Sequence, residues 1–110
     1  MDKSAALSAF AALSQTARLD AFRLLVQSGD EGMLAGEVAE ALEARQNTMS
    51  TNLSVLMNAG LVHNSREGRA IRYFANMDGL QGLLGFLLRD CCGGRPEMCR
   101  PLIEDITRKC

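Results

Sequence analysis

Apolar positions along the chain recur with two different spacings, and the changes between them outline the elements. Residues 3–13 are rich in alanine and leucine and predict a first helix. Ser14 is suited to cap a second, running to about Ser28. On it Thr16, Asp20, Arg23 and Gln27 form one narrow polar stripe, while Leu19, Ala21, Phe22, Leu24, Leu25 and Val26 cover most of the rest. A helix so broadly apolar belongs in the middle of a domain. Arg18 falls in the apolar arc, so a buried stem with a paired head group is expected there. "SGDEG" (28–32) reads as a loop, 34–43 as a short third helix around Val38 and Leu42, and "ARQN" as a turn.

A fourth helix is expected from about Asn47 to Asn58, with Met49, Leu53 and Leu56 at i, i+4 and i+7. The spacing then drops to two. "LVHNSREGRAIRYFAN" reads as a hairpin with strands 61–66 and 70–76 joined tightly through "EGR". Asp78 can cap a fifth helix, in which Leu80, Leu83, Leu84, Leu87 and Leu88 follow the strongest amphipathic pattern in the chain. That stripe suits a core or a dimer seam, and the small size of the domain favours the seam. Gly79, Gly82 and Gly85 recur on this helix, which costs helix stability but lets another backbone come close.

Length and composition narrow the class. A chain of 110 residues, 47% hydrophobic, suits one folded domain. No apolar run approaches the roughly 18 residues of a membrane span. The N-terminal Ala/Leu/Phe run is broken by Ser4, Ser8 and Ser14 and continues as helix past Arg18, so it reads as mature protein rather than an export signal. A cytoplasmic location follows as the expectation, and in a reducing compartment four cysteines point to metal or redox chemistry rather than to a disulfide framework. Net charge is −1, yet Arg45, Arg66, Arg69 and Arg72 stand against Glu67 alone between residues 45 and 76. A basic middle in an acidic chain is a weak nucleic-acid footprint.

The fourth helix sharpens it. Asn47, Thr51, Ser54 and Asn58 cluster opposite its apolar side, a face that is polar, short and uncharged. Such a face lets a backbone approach the major groove and offers hydroxyl and amide groups to bases and phosphates. A plain solvent face is the alternative, though those usually carry Lys and Glu. Enzyme chemistry has little support: there is one histidine, no CxxC, no phosphate-cradling glycine loop and no carboxylate pair in a motif.

"MSTNLSVLMNAGLV" (49–62) followed by "REGRAIRYF" (66–74) resembles the recognition helix and wing of the ArsR/SmtB metalloregulatory repressors. "ALSQTARLDAFRLL" (12–25) is similar to the family's second helix, Arg18 included, and the resemblance spans roughly residues 7–90. It implies a mainly α winged helix-turn-helix with a β-hairpin wing, dimeric through its first and fifth helices, that binds operator DNA as a repressor. The domain would occupy residues 1–92, with 93–110 a cysteine-containing tail. Carried over by position, Asn47, Thr48, Ser50, Thr51, Asn52 and Ser54 would lie on or beside the DNA, and Arg66, Arg69 and Arg72 would serve the wing. Asn52 and Ser54 depart from the family's usual histidine and basic residue, so operator sequence does not transfer.

The family's two best-known metal sites are missing. "LAGEVAEAL" has no cysteine where a CVC pair is usual, and "DGLQGLLGFLLRD" has no histidine. His63 reads as a wing surface residue. What remains is "DCCGGRPEMC" (90–99), where Gly93, Gly94 and Pro96 are expected to end the fifth helix and let Cys99 fold back toward Cys91 and Cys92. Adjacent cysteines are poor disulfide partners for each other. Three thiolates without imidazole select a soft ion, and trivalent arsenic or antimony suits three ligands in a trigonal pyramid. Some arsenite-responsive members of the family look like this. Zinc, cadmium or lead with Cys110 as fourth ligand is the next reading, and a redox or persulfide switch the third. Cys110, at the terminus, is left outside the site.

Overall fold

The computed structural model describes residues 1–89 and 96–109. Helices α1 (Lys3–Leu13) and α2 (Thr16–Ser28) lead to a 3-10 turn and a short strand β1 (Met33–Leu34). Helices α3 (Ala35–Ala41) and α4 (Gln46–Asn58), strands β2 (Val62–Glu67) and β3 (Ala70–Ala75), then α5 (Met77–Leu88) and α6 (Pro96–Arg108) follow.

Local chemistry sets most boundaries. Asp2 caps α1 by accepting from the Ala5 amide at 2.8 Å. Ala6, Ala9 and Ala12 are its buried residues, small enough to let helices approach closely. The cap of α2 falls one residue later than expected. The Ser14 hydroxyl is used behind it, donating to the Ala11 carbonyl at 3.0 Å, while the Gln15 side chain accepts from the Arg18 amide at 2.8 Å. Helix α2 is also less enclosed than its composition suggests: Ala21, Phe22 and Leu25 are buried, but Leu19 and Val26 are exposed.

Helix α4 behaves as its pattern requires, with Met49, Leu53 and Leu56 all fully buried. It ends in a Schellman motif around Gly60, which has φ +79°. The Gly60 amide donates to Met57 O at 3.0 Å and the Leu61 amide to Leu56 O at 3.0 Å, while the side chains of Leu56 and Leu61 are both in the core.

The hairpin forms in the register Val62↔Ala75 to Glu67↔Ala70, turning through Gly68 (φ +61°) and Arg69. The sheet has a third strand that the spacing did not reveal. β1 pairs antiparallel with β3 (Met33↔Tyr73, Leu34↔Arg72), giving the order β1-β3-β2. Two residues carry no readable period; Gly32, at φ +61° and packed against the Tyr73 carbonyl and Phe74 ring, makes the close approach possible.

Two expectations at the C-terminal end need correction. The leucine stripe of α5 does not face one way. Leu83 is buried in the subunit's own core and Leu80 packs against it, whereas Leu84 and Leu87 are exposed. Pro96, expected to help end the preceding helix, instead opens α6, at a first-turn position where a missing N–H costs nothing. Cys91 and Cys92 lie outside the described residues, as does Cys110.

Candidate nucleic-acid interface

The buried side of α4 fixes what its other side presents. With Met49, Leu53 and Leu56 in the core, Asn47, Thr48, Thr51, Ser54 and Asn58 are exposed. Two of these groups are already oriented. The Asn47 side-chain oxygen accepts from the Thr48 amide at 2.9 Å, and the Thr51 hydroxyl donates to the Asn47 carbonyl at 3.2 Å. Thr51 therefore turns its lone pairs outward as an acceptor. Ser50 is half-buried, in a groove between α3, the start of α4 and the wing that Gln46, Arg69 and Tyr73 also line. The thirteen residues of α4 carry no charge. The helix is about 20 Å long, and the ~12 Å major groove accommodates such a rod.

Asn52 corrects the sequence expectation. Its side chain is only 8% exposed and points inward, where its Oδ1 lies 3.4 Å from Arg18 Nη1. Arg18 Nε donates to the Ala12 carbonyl at 2.7 Å. Arg18 thus has the paired head expected of it, and it ties the end of α1 to the middle of α4. Asn52 therefore packs on the buried side of α4 and is not part of its exposed face.

On the wing, Arg66 and Arg69 are exposed, and neither forms a salt bridge with another described residue. Arg72 differs. Its Nε meets Glu67 Oε1 at 2.8 Å, and its Nη1 donates to the Glu31 carbonyl at 3.2 Å. The hydrogen bond it donates to Glu67 holds this guanidinium above its usual pKa, and nearby Glu37 and Glu31 act in the same direction. Arg72 therefore braces the wing against the turn after α2, whereas Arg66 and Arg69, the wing's other arginines, have no salt-bridge partner among the described residues. His63 is exposed and stacks on Phe74 with ring centroids 5.1 Å apart, as a wing surface residue would. Sequence reasoning gave no site role to Gln46, whose position at the first residue of α4 was the available signal.

The other end of α4 touches α5. Asn76 donates through Nδ2 to the Gly60 carbonyl at 2.9 Å and through its amide to Leu61 O at 2.8 Å. Gly79 packs on the same Gly60 carbonyl. The close backbone approach inferred from the glycines of α5 is therefore real at Gly79. These contacts join the start of α5 to the turn that ends α4.

Among the described residues, no three His, Cys, Asp or Glu side chains gather to hold a metal ion. Cys99, in α6, is buried at 8% exposure and disulfide-bonded. No described helix is long and apolar enough to cross a membrane.

A buried three-helix support, an uncharged polar reading helix and a braced hairpin with free arginines define a winged helix-turn-helix DNA-binding protein. Residues 13–64 match the family model described as "Helix-turn-helix domain". Among solved structures, an ArsR-like transcriptional regulator from Rhodococcus sp. RHA1 superposes with a TM-score of 0.70 at 28% identity, covering 94% of this chain and 92% of that one. HlyU from Vibrio cholerae N16961 gives 0.64 at 26% identity, over 84% of this chain and 99% of that one. The homodimeric winged helix-turn-helix DNA-binding domain of Mb0332 from Mycobacterium bovis, a possible ArsR-family regulator, also gives 0.64 at 26% identity, over 84% and 85%. No curated protein matches the chain. These likenesses show the winged helix-turn-helix fold that the chain shares with ArsR-like transcriptional regulators.

Proposed function

We propose that the chain is a cytoplasmic, homodimeric repressor that binds an inverted-repeat operator and releases it when its C-terminal cysteines capture trivalent arsenic or antimony. The observation that carries the DNA half is the exposed, uncharged face of α4 between the free arginines Arg45, Arg66 and Arg69. Asn47, Thr48, Ser50, Thr51 and Ser54 meet the duplex there, while Arg66 and Arg69 track its backbone. The homodimeric Mb0332 domain supports self-association. So do Leu7 and Phe10 on α1 and Leu84 and Leu87 on α5, all exposed on neighbouring helices.

For the effector, the donor set is Cys91, Cys92 and Cys99, three soft sulfurs that suit a thiophilic trivalent ion once reduced. They follow α5, the helix that presses on the end of α4. A pull on α5 worth about 1–3 kcal/mol weakens operator binding roughly 5- to 150-fold. A second reading has its own support, because Cys99 is disulfide-bonded. Two thiols would pass two electrons and two protons to a peroxide or a small disulfide, and the switch would be redox. Operator-binding anisotropy of the reduced protein, challenged in turn with arsenite, antimonite, zinc, cadmium, lead and peroxide, separates the readings. Release by arsenite or antimonite at the lowest dose is expected. Release by peroxide alone would transfer the function to the redox reading.

A further inference from the structure

Away from the reading helix, an apolar groove of about 630 Å³ runs between α5 and α6. Leu84, Leu87 and Leu88 line one wall, and Leu102, Ile103 and Ile106 the other. Gln81 and Thr107 are the polar residues of its described lining, none of which is charged. Leu84, Leu87, Leu102, Ile103 and Ile106 are each 45–52% exposed. A contiguous apolar surface of this kind marks an interaction site.

The energetics of α6 require a partner. Thirteen residues make a marginal helix in water, and Pro101 inside it removes a hydrogen bond and strains the turn before it. Burial must hold it, yet Cys99 is the one buried side chain among its described residues. Cys99, Leu102, Ile103 and Ile106 fall at i, i+3, i+4 and i+7, a single apolar face that is buried at its first turn and about half exposed beyond it.

The charges of α6 point to the occupant. Between residues 97 and 109, Glu97, Glu104 and Asp105 balance Arg100, Arg108 and Lys109, so two copies of α6 do not repel. Glu97 stands in the first turn and Arg108 in the last, so antiparallel pairing sets opposite charges against each other at both ends. The groove is continuous with the proposed dimer face, since α5 also packs on α1.

We propose that this groove receives α6 of a second copy of the chain, so that two α6 helices cross antiparallel about a two-fold axis, flanked by the two α5 helices. This rests on the homodimer reading above and extends it. The dimer then includes a helix beyond the winged domain, and Cys99 sits on the same helical face as the seam.

The arrangement places Ile103, mid-helix, near its own counterpart across the axis. In the full-length chain, Ile103→Glu and Ile103→Lys should each raise the dimer dissociation constant by about tenfold or more, because each buries like charges together. Mixing the two variants should restore wild-type association, as measured by sedimentation velocity. A wild-type dimer whose affinity neither variant changes would overturn the proposal and leave the homodimer reading standing. Variants that dissociate but are not rescued by mixing would overturn the two-fold crossing as well. A wild-type chain that stays monomeric at high concentration would remove the homodimer reading itself.

Discussion

Replacing Gly79 with alanine tests the contact that links the two functional ends of the molecule. A Cβ there would overlap the Gly60 carbonyl oxygen and lie 3.1 Å from the Gly60 carbonyl carbon and 3.2 Å from Asn76 Nδ2. Gly60 cannot easily withdraw, because the Schellman hydrogen bonds hold it on one side and Asn76 on the other. Overpacking of this kind costs about 1–3 kcal/mol. Loss of the Asn76–Gly60 hydrogen bond adds about 1 kcal/mol. Alanine's better helix propensity returns only about 0.5–1 kcal/mol, so the clash wins and net destabilisation of about 1–3 kcal/mol is expected. Gly85 on the same helix has nothing within 4 Å of a Cβ inside the subunit, so within one subunit Gly85→Ala brings the propensity gain alone, about 0.5–1 kcal/mol of stabilisation. Urea denaturation at one fixed protein concentration measures both, since a dimer's stability depends on concentration. Gly79→Ala should also lose operator affinity, because α5 is pushed off the end of α4. If Gly79→Ala proves as stable as wild type, or moves in step with Gly85→Ala, the close contact and the coupling built on it are wrong.

Other substitutions separate roles that share a residue type. Arg69→Ala should reduce the slope of log affinity against log salt by about 0.9, whereas Arg72→Ala should leave the slope nearly unchanged, because Glu67 already pairs that charge; equal slopes for the two would refute the distinction. Arg18→Met strips the donor from buried Asn52 and should cost about 1–3 kcal/mol in denaturation, with no change in stability counting against the tie between α1 and α4. Thr51→Glu places a carboxylate on the exposed face of α4 and should abolish duplex binding while the circular dichroism spectrum is retained. Undiminished binding would move the DNA contact elsewhere.

The fold was most legible where periodicity was long. Helices α2 and α4 and the hairpin declared themselves through helical spacings or alternation, which follow from which face is buried, and α1 through its alanine and leucine content. The two-residue strand β1 has no period to read, and its existence depends on Tyr73 and Arg72, which lie 40 and 38 residues beyond their partners Met33 and Leu34. Helix α6 was hidden by Pro101 and by the glycines before it, although Pro96 at a helix start and apolar residues at i, i+3, i+4 and i+7 from Cys99 were the available signals. In the site, the outward set Asn47, Thr51 and Ser54 followed from the position of Met49 and Leu53. Asn52 did not follow, because its partner Arg18 comes from a distant segment; Arg72 pairs with Glu67 inside the hairpin, and only its second contact, the Glu31 carbonyl, needs the tertiary fold. Leu83 likewise shares a stripe with Leu87, and only packing separates the core leucine from the exposed one.

Arsenite titrated into the reduced protein–operator complex, followed by fluorescence anisotropy in wild type and Cys99→Ser, tests repression and its relief together. Wild type should bind operator tightly and release it at about one equivalent of arsenite per subunit, with affinity falling roughly 5- to 150-fold. Cys99→Ser should bind operator equally well and hold it through the same titration. Release at the same arsenite concentration by both proteins, or by neither, would contradict a sensor built on Cys99.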